Sequence, residues 1–175
     1  PRKARASRAS MSPMRASATD TIHYDDVRVP VEGLLGGEGQ AFAIAQTRLG
    51  GGRIHHAMRT IGLAGSAFDM MCERALSRET QGSLLADKQF VQDFIAKSRM
   101  EVDQARLLTL YAAWQMDTEG KRRARQAISM IKVVVPNMLM HVLDRAIQCL
   151  GSLGMSDDTP VAAMWREGRS LRIAD

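Results

Sequence analysis

Residues 49–82, LGGGRIHHAMRTIGLAGSAFDMMCERALSRETQG, decide how the rest of the chain is read. Three glycines lead into Arg53, and apolar or small residues then recur at Ile54, Ala57, Met58, Ile61, Ala64, Gly65, Phe68, Met71, Cys72, Ala75 and Leu76. Steps of three and four lay these side chains along one stripe of an α-helix. At about 1.5 Å per residue, Arg53 and Arg78 stand near opposite ends of a rod roughly 40 Å long. Each glycine at 50–52 weakens that helix by about 1 kcal/mol relative to alanine, so the stretch predicts either a kink there or a slightly deformed but continuous helix. The helix is expected to run to about Arg78 and to stop at Gly82.

Upstream, residues 21–31, TIHYDDVRVPV, alternate as one strand through Ile22, Tyr24, Val27 and Val29 until Pro30 stops them. A single strand forms no sheet, so its partners are expected on another chain or in lost parts of a larger protein. Residues 32–39, EGLLGGEG, are turn chemistry, with Glu38 near a helix start. Downstream, a second helix is expected over 86–118, apolar nearly all round from Leu107 to Trp114, as at a crowded or subunit-facing surface. Gly120 breaks it, and KRRAR at 121–125 reads as a solvated loop and first turn. A third helix follows over 122–150, with a kink expected at Pro136 and a stop at Gly151 and Gly154. A short fourth runs from about Pro160 to Arg172. The expected fold class is all-α, an up-down antiparallel bundle of three long helices and a short fourth with a short N-terminal β remnant. Residues 39–175 form the bundle domain and 21–38 the strand and turn that precede it. Residues 1–20 are expected to be disordered or divergent and carry no assigned function, although the opening PRKARASRASMSPMRASA, residues 1–18, is Arg/Ser/Ala-rich and acid-free and has the look of a transit peptide.

A chain of 175 residues can form one ordinary domain with a core. Twelve methionines against 5% aromatic residues suit helix packing, where flexible thioethers fill irregular gaps. The net charge of +5 comes from Arg2, Lys3, Arg5, Arg8 and Arg15 in an acid-free opening, which leaves 19 basic and 19 acidic residues in the remainder. A neutral body has no basic excess to attract a polyanion, so nucleic-acid binding ranks third and would rest on the tail alone. Cys72 and Cys149 lie on apolar helical faces and read as buried thiols of a reducing compartment. His55 and His56 are adjacent and point apart on a helix, His23 and His141 are distant, and no metal site is expected. No apolar run approaches the length of a bilayer span.

The Arg53–Arg78 spacing, the ERALSRETQG ending and the upstream HYDDVRVPVEGLLGGEGQAFAIAQTRLG together resemble an acyl-CoA dehydrogenase. The likeness runs from about Thr21 to Asp175 and covers only the family's C-terminal part, the end of the β-domain and the C-terminal helical domain. GRIHHAMRTIGLA, AISMIKVVVPNM and LRIAD bring it nearest to a subgroup in which some members are fused to a phosphotransferase-like kinase domain. The resemblance implies FAD-dependent α,β-dehydrogenation of acyl-CoA thioesters, in which a base takes the α-proton and the β-hydrogen leaves as hydride to the flavin N5. It implies a site shared with an N-terminal helical domain and a β-domain, completed by a second subunit. A homo-oligomer, dimer or tetramer, and an electron-transfer flavoprotein partner are implied with it. A bacterial member would be cytoplasmic, and a eukaryotic one mitochondrial or peroxisomal.

Residue by residue, the resemblance places Arg53 near the catalytic end of the substrate and flavin site, although a lone arginine is otherwise a surface charge. Arg78-Glu79-Thr80-Gln81-Gly82 matches an R-x-x-F-G segment that meets the FAD of the adjacent subunit, and a guanidinium suits pyrophosphate through its forked donors. Gln81 replaces the usual aromatic and loses its apolar contact. Read blandly, Arg78 only complements a helix C-terminus. Gln148, Gly151 and Ser152 fall in QCLGSLG, which is similar to the family's Q-x-x-G-G-x-G turn, and Ser152 puts a side chain where close approach is usual. Without the family, that turn is a glycine-capped helix end. In LRIAD, Asp175 takes the position of the family's glutamate base, and desolvation would raise its pKa toward useful basicity. The alternative base position of some relatives is Gly52 here. As the last residue, Asp175 is expected to fray beside its own α-carboxylate. The chain alone is therefore expected to have little or no activity and to bind FAD weakly or not at all. The rival reading is a non-catalytic helical oligomerisation or assembly module, which flavin binding would separate from the first.

Overall fold

The computed structural model describes residues 24–174. The chain divides into two compact units, residues 1–45 and 46–175. In the first unit, residues 24–30 are irregular and Val31–Gly33 forms a single 3-10 turn. The expected strand over 21–31 is therefore corrected in its described portion, while its first three residues and the whole 1–20 segment lie outside the described residues. Alternation marks a residue pattern that fits a sheet, but a strand persists only where a neighbour takes its backbone hydrogen bonds.

Helix α1 spans Ala41–Ser77. Its buried residues Ala57, Thr60, Ile61, Ala64, Ala67, Met71 and Ala75 keep the three–four spacing of the opening stretch. The helix is continuous through Gly50, Gly51 and Gly52. A Cβ at Gly50 or Gly52 would meet nothing within 4 Å, and one at Gly51 only the Met116 methyl at 3.9 Å. Space does not demand glycine there. Gly50→Ala and Gly52→Ala are each expected to stabilise the chain by about 0.5–1 kcal/mol through a less disordered unfolded state. Urea unfolding of each variant checks this, and a lower midpoint would contradict it.

The end of α1 differs from expectation. It closes at Ser77, and the chain turns into a small hairpin of β1 (Glu79–Thr80) and β2 (Ser83–Leu84), with Thr80 opposite Ser83. Gln81 and Gly82 form its two-residue loop at φ 52° and 78°, and two positive values in succession are what a type I′ turn requires. The Leu85 N–H donates to the Arg78 carbonyl at 2.8 Å, and the Asp87 carboxylate accepts from the Leu84 N–H at 3.1 Å.

Helices α2 (Gln89–Glu119) and α3 (Lys121–Leu150) are separated by Gly120 alone, at φ 82°. A 3-10 segment, Gly151–Met155, then leads to α4 (Val161–Ser170). The helix continues through Pro136, which contributes no N–H to that turn of the ladder. Side-chain neighbours set the directions. Arg53 and Ala57 of α1 line one cleft with Ile131 and Val135 of α3, and Cys149 near the far end of α3 feels Cys72 near the far end of α1, so these helices run parallel. Arg145 of α3 reaches back to Glu101 of α2, and Trp165 of α4 donates to Asp144 of α3 at 2.6 Å, as antiparallel neighbours do. The result is the expected all-α up-down bundle of four helices.

Helix α3 is its centre, with Ile131, Val135, Leu139, Val142, Leu143 and Ala146 fully enclosed. It is long and apolar enough to cross a membrane by length and composition, which the sequence reading did not anticipate, but 56% of that window is buried inside the bundle. The apolar face is thus spent on helix packing. The buried hydroxyls are satisfied: Thr60 and Thr109 donate to the carbonyls of His56 and Ala105, and Ser98 accepts from Arg145. Both thiols are pushed up by burial, Cys72 further by Asp69 and Cys149 by Cys72, so they remain protonated near neutrality.

Candidate functional site

The residues singled out in the sequence fall into two groups at different ends of α1. At the Arg53 end, a narrow cleft of about 20 Å³ lies between α1, α3 and the turn after α4. Arg53, His56, Ala57 and Thr60 form one wall, Ile131, Lys132, Val135 and Pro136 the other, and Leu171 the floor. That volume is room for roughly one water molecule. His56, Thr60 and Leu171 also border a wider groove of about 410 Å³, which Arg59, Leu63, Ser66 and Glu167 complete. Among the described residues, the Arg53 Nε is buried without a hydrogen-bond partner, as is the Arg74 Nε farther along α1. A buried guanidinium N–H without an acceptor is costly, so the site is chemically set to receive one.

The chain's end is brought to the same place. The Lys132 ammonium donates to the carbonyl of Leu171 at 2.8 Å and to that of Ala174. Asp175 follows Ala174 in sequence but lies outside the described residues.

At the other end of α1, Arg78 is exposed directly after the helix, Thr80 is half-buried in β1, and Gln81 is exposed in the hairpin turn. Gln148 is exposed on the last turn of α3, and Gly151 caps that helix at φ 66° and ψ −136°. Ser152 follows, exposed, in the 3-10 segment. Gly154 is buried, and a Cβ there would stand 2.9 Å from the Ile147 Cα. Arg53 and Arg78 are separated by about 38 Å of helix at 1.5 Å per residue. The two groups therefore cannot share one small cavity; a single ligand meeting both would have to be long. Among the described residues, no three His, Cys, Asp or Glu side chains are grouped to hold a metal.

Sequence reasoning missed Lys132 and the half-buried Arg145–Glu101 pair. A lone lysine inside the apolar run MIKVVVP was the available signal for the first. The second gave none, because each residue alone reads as a surface charge.

The family of acyl-CoA dehydrogenase C-terminal domains matches residues 39–175. The chain belongs to the acyl-CoA dehydrogenase family. Acyl-CoA dehydrogenase family member 11 of Gallus gallus is 50% identical over 154 residues, covering 88% of this chain and 20% of that protein. FadE2 of Mycobacterium tuberculosis, named a probable acyl-CoA dehydrogenase, is 51% identical over 154 residues, covering 88% and 38%. The structure of butyryl-CoA dehydrogenase from Megasphaera elsdenii aligns with a TM-score of 0.78 at 33% identity, over 86% of this chain and 39% of that one. The first of these is of the kinase-fused subgroup to which GRIHHAMRTIGLA, AISMIKVVVPNM and LRIAD pointed. This acyl-CoA dehydrogenase chain spans 20% of the length of the first of these relatives and 38% of the second.

Proposed function

We propose that this chain is the C-terminal part of an FAD-dependent acyl-CoA dehydrogenase, and that by itself it has little or no dehydrogenase activity. The observation that supports this most is the convergence at the Arg53 end. An unsatisfied buried guanidinium N–H, a cleft and the turn leading into Asp175 meet there, within a chain of this family. Asp175 is the α-proton acceptor in this reading, with Arg53 orienting the acyl thioester beside it. Gly52, at the position where some relatives carry a glutamate, puts no carboxylate next to Arg53 to compete for that role.

The donor set at the other end fits one face of a dinucleotide cofactor. Arg78 offers forked donors for a pyrophosphate, Thr80 and Gln81 hydroxyl and amide groups, and Gln148 with the Gly151–Ser152 backbone a close-approach turn. All but Thr80 are exposed, as a half-site finished by other domains or a second subunit would be. FAD, when bound, supplies the hydride acceptor. The complete enzyme acts as a homo-oligomer and passes electrons to an electron-transfer flavoprotein, in the cytoplasm of a bacterium or in mitochondria or peroxisomes.

Titration of the purified chain with FAD, followed by flavin absorbance, tests this reading. The expected result is weak saturable binding, reduced at least tenfold by Arg78→Ala, with no acyl-CoA turnover in the presence of an electron acceptor. Turnover by the chain alone, or binding indifferent to Arg78→Ala, would contradict it.

A second reading, a helical assembly module without chemistry, is favoured by one face of α2. Leu107, Leu110, Tyr111 and Trp114 are 67%, 50%, 46% and 53% exposed and lie three or four residues apart, with the Tyr111 and Trp114 rings stacked. Light scattering is expected to give a multiple of 19.3 kDa, and Leu107→Glu with Trp114→Glu to return the chain to the monomer mass. An oligomer with no flavin affinity would favour the module over the enzyme part.

A further inference from the structure

We propose that Arg74 is a further cofactor-binding residue, which with Arg78 forms a paired guanidinium clamp for the diphosphate of a dinucleotide. That the dinucleotide is FAD rests on the dehydrogenase reading; the need of Arg74 for an acceptor does not.

Arg74 stands in the last turn of α1, within one turn of Met71 and Ala75, both fully enclosed. Its side chain is half-buried, and its Nε is shut off from solvent without a hydrogen-bond partner among the described residues. A cation at a helix C-terminus complements the dipole, and that alone would explain an arginine whose donors all stayed in water. It does not explain the enclosed Nε–H, since a buried donor without an acceptor is costly. A lysine would serve the dipole equally well and would carry no donor in its stem. Arginine is an advantage here only if an acceptor comes to it.

The backbone sets Arg78 beside it. The Arg78 N–H donates to the Arg74 carbonyl at 3.1 Å, so the helical winding reaches one residue past Ser77. The Leu85 N–H donates to the Arg78 carbonyl at 2.8 Å and ties the hairpin to that turn. Residues four apart share a helix face, with Cβ atoms roughly 5–6 Å from one another. Like charges at this spacing repel, and among the described residues neither arginine forms an ion pair with the exposed Glu73 or Glu79. Glu73 lies roughly 100° around the helix from Arg74 and leaves that face to the arginines. An anion with two adjacent charged groups relieves both costs together. Each phosphate of a diphosphate can take one forked guanidinium, whereas a single carboxylate would leave the second charge unmatched. Arg74, already held by packing, gives up less freedom on binding than the exposed Arg78 does.

The test uses the full chain and two probes, FAD and ADP, the second of which carries the diphosphate without the flavin. The Arg74 Nε–H is followed by NMR and assigned by its loss in Arg74→Lys. Saturating ADP is expected to move that resonance downfield and to slow its exchange with water at least tenfold. In titrations, Arg74→Lys, which keeps the charge and removes the fork, is expected to weaken FAD and ADP by the same factor, at least fivefold. Without ligand the variant, relieved of the buried N–H, is expected to melt no lower than wild type. An Nε–H indifferent to ADP, with FAD binding still weakened by Arg78→Ala, would overturn the clamp and leave the cofactor reading standing. Failure of the wild-type chain to bind either probe, or binding indifferent to both arginines, would overturn the cofactor reading and the clamp with it. An oligomer mass lowered by Arg74→Lys at unchanged ADP affinity would give the buried N–H to an acceptor on a second copy of the chain, and would also overturn the clamp.

Discussion

Glu101→Ala is expected to destabilise the bundle by about 2 kcal/mol, the cost of taking the charged acceptor from a half-buried guanidinium. Both carboxylate oxygens of Glu101 accept from the Arg145 guanidinium at 2.8 Å, and the same Nη1 also donates to the buried Ser98 hydroxyl at 3.2 Å. The side chains keep 17% and 29% of their exposure, so the pair is half-buried between α2 and α3. Hydrogen bonding to Glu101 is the main reason that the Arg145 pKa is raised above its already high value, with burial opposing it. The guanidinium therefore stays charged at any ordinary pH, and removing Glu101 leaves a charge that has lost its partner. Replacing both partners, Glu101→Leu with Arg145→Met, removes the charge along with its partner and is expected to recover most of the loss. Thermal unfolding of the single and double variants checks both statements. A single variant within 1 kcal/mol of wild type would mean that solvent reaches Arg145 freely.

The long helices were legible because burial in a bundle repeats at the helical period, and α1 to α4 each carry that period in their own residues. What periodicity does not contain is the end of α1. Gln81-Gly82 is a weak hairpin signal compared with Asn-Gly, and nothing nearby in sequence says that Leu85 will return to the Arg78 carbonyl. The strand pattern over 21–31 misled for the opposite reason, since its alternation is real but a partner is a property of other segments. The Arg53 cleft was not legible in its walls. Arg53 came from resemblance, whereas Lys132, Pro136 and Leu171 reach it from far along the chain through packing alone. Glu101 and Arg145 are 44 residues apart, and their pairing is set by the angle between two helices. The resemblance named Arg78 and Gln148 in separate motifs; that α1 and α3 run parallel, with Cys149 near Cys72 toward their far ends, is a result of packing.

Gly154→Ala is expected to cost about 3 kcal/mol, the upper part of the usual range for overpacking. The new Cβ would lie 2.9 Å from the Ile147 Cα, 3.0 Å from the Ile147 carbonyl oxygen and 3.0 Å from the Leu150 Cβ. Two of these three atoms are backbone of α3, so no rotamer change relieves the contact and the 3-10 segment must lift off the helix end. In a chain of this size the melting temperature should fall by roughly 6–12 °C. Gly151, three residues earlier, demands glycine for a different reason. A Cβ there meets nothing within 4 Å, but φ 66° with ψ −136° is a conformation that side-chain-bearing residues adopt only with strain. Gly151→Ala should therefore cost less, about 1–3 kcal/mol. The two variants also separate stability from ligand geometry. Lifting the segment at Gly154 moves Ser152 and the Gly151 amide away from Gln148, so any flavin affinity should fall with it. Arg78, on the hairpin after α1, keeps its place. Under conditions where the variant remains folded, retained FAD affinity would exclude the Gln148–Ser152 turn from the cofactor surface, whereas a loss as large as that of Arg78→Ala would join the ends of α1 and α3 into one binding face.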